Sequence, residues 1–267
     1  MTLIAPGIEQ KELILSTENV SFTYDGDKKI LKNINFQIHD IVRTGMIQGQ
    51  IIAICGRSGC GKSTLFKILS GFQKPTAGEV KVDLDQHQVS MGEMGVVPQD
   101  YPLFNHRTVY GNLSLALTGK TDKEKLDIIN EYAKYFDLLE ELEKYPVELS
   151  GGQRQRASIL QQVLAGNKFI LMDEPFSGLD SIMKDKVVDL LIKVDNLNEY
   201  NTLIIVSHDI ESSCAIADSV YVLANNDGEG STVVKSYDMI KLGLAYRKGI
   251  KEDRAFQDVV KEIKSLM

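Results

Sequence analysis

The residues IIAICGRSGCGKSTLFKILSG, 51–71, decide the fold of this chain. The apolar run IIAI at 51–54 is short and rich in isoleucine, which predicts a strand rather than a helix. GRSGCGKST follows at 56–64, and STLFKILSG at 63–71 reads as a helix. Strand, glycine loop and helix are the setting in which the pattern G-x-x-x-x-G-K-[ST] binds phosphate. Gly56, Gly61, Lys62 and Ser63 satisfy that pattern. The glycines let several backbone N–H groups point inward, and the helix N-terminus adds favourable partial charge. Lys62 supplies a mobile positive charge for the β- and γ-phosphates, Ser63 a hydroxyl for Mg²⁺, and Thr64 a contact to the α-phosphate.

Further solid apolar runs occur at 169–172 (FILM) and 203–206 (LIIV), each bounded by loop residues. Runs of this kind suit strands buried on both faces, hence a parallel sheet flanked by helices. GVV at 95–97 and VYVL at 220–223 are expected in that sheet or at its edge. Residues 12–38 instead alternate apolar and polar around DGDKK at 25–29, which predicts antiparallel strands. Between Gln99 and Gly166 the pattern turns helical, with a Thr121/Glu124 capping box and a stripe of Leu126, Ile129, Ala133, Phe136 and Leu139. Ile182, Val187, Leu190, Leu191, Val194 and Leu197 form a second stripe. Phe256, Val259, Val260, Ile263 and Leu266 form a third, and all three are expected to face the core.

A chain of 267 residues can bury a large core, and 43% hydrophobic with 25% charged residues is a globular composition. The net charge of -7 argues against a broad nucleic-acid-binding surface. No stretch approaches the roughly 18–20 apolar residues needed to span a bilayer, and the N-terminus lacks the charge-then-apolar order of a signal peptide. Cys55, Cys60 and Cys214 are odd in number and lack metal-ligand spacing, which suits reduced thiols in a cytosol. Any membrane pore must then belong to another polypeptide.

LSGGQ at 149–153 and FILMDEP at 169–175 complete an ordered set with the phosphate loop. From roughly Leu13 to Leu223 the chain resembles the ATP-hydrolysing subunits of ATP-binding cassette (ABC) systems. The resemblance implies an α/β P-loop NTPase with a RecA-like parallel-sheet core, an N-terminal antiparallel β subdomain and an inserted helical subdomain. In one ABC ATPase domain, 1–98 and 166–230 would form the nucleotide-binding core, 99–165 the helical signature subdomain and 231–267 a short helical tail. ATP and Mg²⁺ are the implied ligands. The whole loop Gly56, Arg57, Ser58, Gly59, Cys60, Gly61, Lys62, Ser63 and Thr64 would cradle the phosphates, with Tyr24 stacked on adenine. Asp173, Ser63 and Gln99 would hold Mg²⁺. Glu174 would polarise the attacking water, joined by His208, Gln99 and Lys62 as catalytic groups.

Ser150 and Gln153, around Gly151 and Gly152, form an S-x-x-Q capping box, and the resemblance places this helix start on the γ-phosphate held by another subunit. Asp180, in SGLD, would face that subunit. The implied assembly is a homodimer or a pair of homologous ATPases on the cytoplasmic face of the membrane. Permease subunits and a solute-binding protein would join it, and no nucleic acid. Tyr101, Leu103 and Phe104 are candidates for the permease contact, or for plain subdomain packing.

DEPFSGLD, SHDIESS and the compact tail resemble importer ATPases for nitrate, sulfonate or taurine-like solutes. An exporter or lipid-transport ATPase is the alternative, as is a non-transport ABC ATPase of cluster assembly, translation or DNA repair. RTGMIQGQ at 43–50 lengthens a connection that is usually short, while Arg57 and Lys168 stand where proline is frequent. Cys60, near a helix start and Lys62, is expected to have a lowered pKa. It is a candidate for alkylation that blocks nucleotide binding, or simply a small residue chosen for fit.

Overall fold

The alternating N-terminal segment forms a long hairpin in the computed structural model, which describes residues 2–5, 7–24, 26, 29–45, 47–197, 201–245, 247 and 249–267. Residues 25, 27 and 28 of the expected turn lie outside the described residues. The first strand, β1 (Thr2–Ala5), pairs antiparallel with β2 (Ile8–Thr23), which also pairs antiparallel with β3 (Lys29–Arg43). With β5 (Ala77–Val82) and β6 (His87–Gln88) they make a five-stranded sheet.

The second sheet contains β4 (Gln50–Gly56), β7 (Gly95–Val97), β8 (Phe169–Asp173), β9 (Thr202–Ser207), β10 (Ser219–Ala224) and β11 (Thr232–Asp238). Its order is β11-β10-β4-β9-β8-β7, parallel throughout except for the antiparallel β11. Every residue of β4 is buried. Because successive side chains of a strand face opposite ways, Ile52 and Ile54 join the core under the antiparallel sheet. Ala53 and Cys55 join the opposite core.

Helix α1 (Lys62–Leu69) follows β4 and buries Leu65, Phe66, Ile68 and Leu69 in the first of these cores. The helical subdomain holds α2 (Val109–Ser114), α3 (Asp122–Tyr135) and α4 (Gly151–Leu164). Helices α5 (Ser181–Asp195), α6 (Ile210–Ile216) and α7 (Arg254–Leu266) cover the parallel sheet. The Thr121/Glu124 capping box is present at the start of α3.

Two sequence expectations need correction. Residues 232–238 of the supposed helical tail are strand, because β-branched Thr232, Val233 and Val234 lie along the otherwise open edge of β10. Leu126, Leu139 and Ile182 are exposed, although they sit on apolar stripes. Ile182 falls in the first turn of α5 and Leu126 in the second turn of α3, both near helix starts, and Leu139 lies beyond α3 in a 3₁₀ turn, where the 3.6 period no longer applies.

The long 43–50 connection has a clear anchor. The Arg43 guanidinium donates to the Gly49 carbonyl and to Asp218 Oδ1, while Asp218 Oδ2 accepts the Ile51 N–H at 2.9 Å. This buried pair ties the extended hairpin to the parallel sheet.

Candidate functional site

Parallel strands deliver all their C-terminal ends to one edge, and four of them converge here. In register, Cys55 lies beside Ser207, Asp173 beside Val206 and Val97 beside Met172. The loops leaving these strands therefore bring Gly56–Thr64, Asp173–Glu174, His208 and Gln99 together by topology alone. A pocket of about 460 Å³ lies between them, with Tyr24, Ser58, Gly59, Gly61, Lys62, Ser63, Thr64, Gln99, Glu174 and His208 on its walls.

The loop 56–64 demands glycine at two points. A Cβ on Gly56 would lie 2.5 Å from Cys60 Sγ and 2.8 Å from the Leu223 carbonyl oxygen. Gly61, the N-cap of α1, has φ +89°, and its Cβ would meet Ile30 at 2.9 Å. No side chain caps α1, so its first N–H groups remain available to an anion.

Lys62 is buried. Its ammonium donates to the Gly56 carbonyl at 2.9 Å and the Arg57 carbonyl at 3.0 Å, and lies 3.2 Å from Glu174 Oε1. The other carboxylate oxygen, Oε2, accepts from the His208 N–H at 3.0 Å and Ser207 Oγ at 3.2 Å. His208 Nδ1 lies 2.7 Å from the same oxygen. Glu174 is 9% exposed and has φ +50°, a left-handed conformation that costs a non-glycine residue roughly 1–2 kcal/mol.

Asp173 sits behind Glu174 with Oδ1 buried and without a hydrogen-bond partner. Burial pushes its carboxyl above the usual range, the Glu174 charge adds to this, and a hydrogen bond from Ser63 opposes it. An orphaned carboxylate oxygen beside a hydroxyl is an all-oxygen donor set that fits a hard cation such as Mg²⁺. Among the described residues no cluster of three or more His, Cys, Asp or Glu forms a complete cage.

Tyr24 is 60% exposed, packs edge-on against Phe22 at 4.8 Å, and has its hydroxyl 3.4 Å from Thr64 Oγ1. An open aromatic face at the pocket mouth can stack a planar base. Cys60 turns out differently from expectation. It packs against the core, and burial raises its thiol pKa ahead of the opposing Lys62 charge. The Arg57 and Cys60 side chains do not line the pocket.

Ser150, Gly151, Gly152, Gln153 and Asp180 also lie outside the pocket. Ser150 Oγ accepts from the Gln153 N–H, and Gln153 Oε1 accepts from the Ser150 N–H at 2.8 Å, so α4 is capped reciprocally. Asp180 caps α5 through the Met183 N–H. Ser150 and Gly151 are exposed, and a Cβ on Gly151 would meet nothing within 4 Å. Of the three docking candidates, Phe104 is exposed, while Tyr101 and Leu103 pack against the core.

Sequence reasoning missed Ser177, whose Oγ accepts from Gln99 Nε2 at 3.1 Å, and Ser207, the donor to Glu174. Ser177 had a signal in its place within SGLD; Ser207 had only its position before His208. Among the described residues no helix is long and apolar enough to cross a membrane.

A family model described as ABC transporter matches residues 31–177. The choline transport ATP-binding protein OpuBA of Bacillus subtilis is 35% identical over 79% of this chain, which spans only 55% of that protein's length. The formylaminopyrimidine import ATP-binding protein ThiZ of Halalkalibacterium halodurans is 30% identical over 96% of this chain and 97% of its own. A dimeric ATP-binding cassette, MJ0796, solved in a post-hydrolysis state with ADP and phosphate, superposes with a TM-score of 0.68. It is 27% identical over 85% of this chain and 99% of its own. With the pocket geometry in place, the chain belongs to the ABC transporter family, as one of its ATP-hydrolysing subunits.

Proposed function

We propose that two copies of this chain, or this chain and a homologue, close head-to-tail around two ATP molecules and power import of a solute through a separate permease. The observation that carries the reading is the split between pocket and signature. Loop 56–64, Gln99, Glu174 and His208 share one pocket, while the capped start of α4 stands exposed outside it. A helix N-terminus with bare glycine N–H groups suits an anion, and a second molecule offers the γ-phosphate that this helix would meet.

Tyr24 stacks the adenine, the 56–64 backbone and Lys62 hold the phosphates, and Ser63, Asp173 and Gln99 hold Mg²⁺. When bound, the cation offsets the charge that builds on the phosphate oxygens. Glu174 orients a water and accepts its proton as the water oxygen attacks the γ-phosphorus. The bond to the β–γ bridging oxygen breaks, leaving ADP and inorganic phosphate. Ser207 and the His208 backbone fix the carboxylate for that task.

Import is supported by relatives named as import ATP-binding proteins. The chain would then sit on the cytoplasmic face of the membrane, held by permease subunits and served by a solute-binding protein. The test is light scattering on a Glu174→Gln variant. With MgATP its mass should double, and Gly152→Asp, which sets a carboxylate against the γ-phosphate, should keep it monomeric. Dimers formed equally well without nucleotide, or unaffected by Gly152→Asp, would refute the arrangement.

A further inference from the structure

We infer that Tyr101 and Gln155 are positioning residues for Glu174, clasping the Pro175 carbonyl and so tying the carboxylate to the helical subdomain. The inference rests on Glu174 being the proton acceptor proposed above. Its left-handed backbone is strained, and such strain persists only where the surroundings over-determine it. On the core side the Glu174 N–H donates to the Val206 carbonyl at 2.8 Å, and the Ser177 N–H closes a turn onto the Glu174 carbonyl at 3.1 Å. Those bonds fix one side of residue 174. Pro175 has no N–H, so its carbonyl is the only backbone group through which the next residue can be held.

That carbonyl receives two donors, one from α4 and one from the segment that follows β7. Gln155 Nε2 reaches it at 2.9 Å and the Tyr101 hydroxyl at 3.4 Å. Gln155 is 2% exposed and lies on α4, one turn beyond Gly151 and Gly152. Tyr101 lies two residues past Gln99 and itself has φ +47°. Burial pushes its phenol up to about 12, so it remains a donor at any working pH. Gln99 adds a third bond to the same turn through Ser177. The helix that starts with the signature and the segment that follows β7 thus grip one four-residue turn. A small rotation of the helical subdomain moves Pro175, and with it Glu174.

The test uses the full-length chain with Gln155→Met, which keeps length and removes the donor, and Tyr101→Phe, which removes only the hydroxyl. Phosphate release gives kcat, and fluorescent mant-ATP gives an independent affinity. Gln155→Met should lower kcat about 10- to 100-fold, the scale of an ångström-level misplacement, with the mant-ATP Kd within about twofold. In a Glu174→Gln background it should cause no further loss. Tyr101→Phe, at the longer contact, should lower kcat by about two- to fivefold. The inference is overturned if Gln155→Met keeps kcat within about twofold, or moves Kd as much as kcat. It also fails if the same loss appears without the Glu174 carboxylate. Should Gln155→Met not fold, an unchanged kcat in Tyr101→Phe overturns it. Failure of the underlying reading looks different, because Glu174→Gln alone would then turn over normally.

Discussion

Arg43→Met removes a charge from a buried pair while keeping most of the aliphatic stem. Arg43 is 7% exposed and Asp218 1%. Burial pushes the Asp218 carboxyl up to about 6 from 3.8, with Arg43 pulling the other way. The folded value therefore lies above the unfolded one, and the native chain binds the extra proton between about pH 4 and pH 6. Stability from this group is full below about pH 4 and falls by about 3 kcal/mol as pH rises through 6, then levels. Without Arg43 the folded value climbs further and the fall continues. A carboxyl that stays protonated sets the ceiling, about 6 kcal/mol at pH 8 and about 3 at pH 6. Subtracting the native cost leaves up to about 3 kcal/mol of extra loss at pH 8, but less than about 1 at pH 6. Losing the donor to the Gly49 carbonyl adds about 1 kcal/mol at both. Urea unfolding at the two pH values, followed by circular dichroism, measures the difference. A loss that is equal at pH 6 and pH 8 would refute the reasoning, whatever its size.

At the site itself, Glu174→Gln should slow phosphate release at least about a hundredfold, within the range of general-base help, while nucleotide still binds; turnover within about threefold would remove Glu174 from its role. In a variant lacking Cys55 and Cys214, Cys60 should react with maleimide at pH 7.5 more slowly than a free cysteine, because burial raises its thiol pKa. A rate equal to free cysteine would contradict that placement.

The parallel sheet was legible because its strands are solid apolar runs, IIAI, FILM and LIIV, that only burial on two faces can accommodate. The site followed from it, since residues just past such strands share an edge whatever their distance in sequence. Three things escaped. The edge strand at 232–238 carries a polar face and shows no solid run, so only its pairing with β10 defines it. Cys60 was misjudged because helix start and lysine are visible in sequence, whereas the burial that outweighs them is not. Gln155 was invisible as a functional residue, because its partner is a carbonyl 20 positions away that any residue would possess.

Charge explains why the pocket is best read as one half of a larger site. Its walls carry one lysine and one carboxylate, Lys62 and Glu174, already 3.2 Å apart, and the adjoining Asp173 is half-buried with its Oδ1 out of reach of solvent. A nucleoside triphosphate brings several negative charges into that setting, and Lys62 alone cannot balance them. Two sources of compensation remain that cost no further burial of side-chain charge. One is a divalent cation on the orphaned Asp173 oxygen; the other is backbone N–H groups at helix starts, each helix worth about half a charge. At the phosphate loop α1 supplies one such start. A second must come from a helix that ends in small residues so that phosphate can approach its backbone. In this chain α4 answers that description, through Gly151 and Gly152, and its start does not line its own pocket. On the proposed arrangement, electrostatics would make the nucleotide the adhesive between two subunits, and hydrolysis, by dividing that charge, would release them.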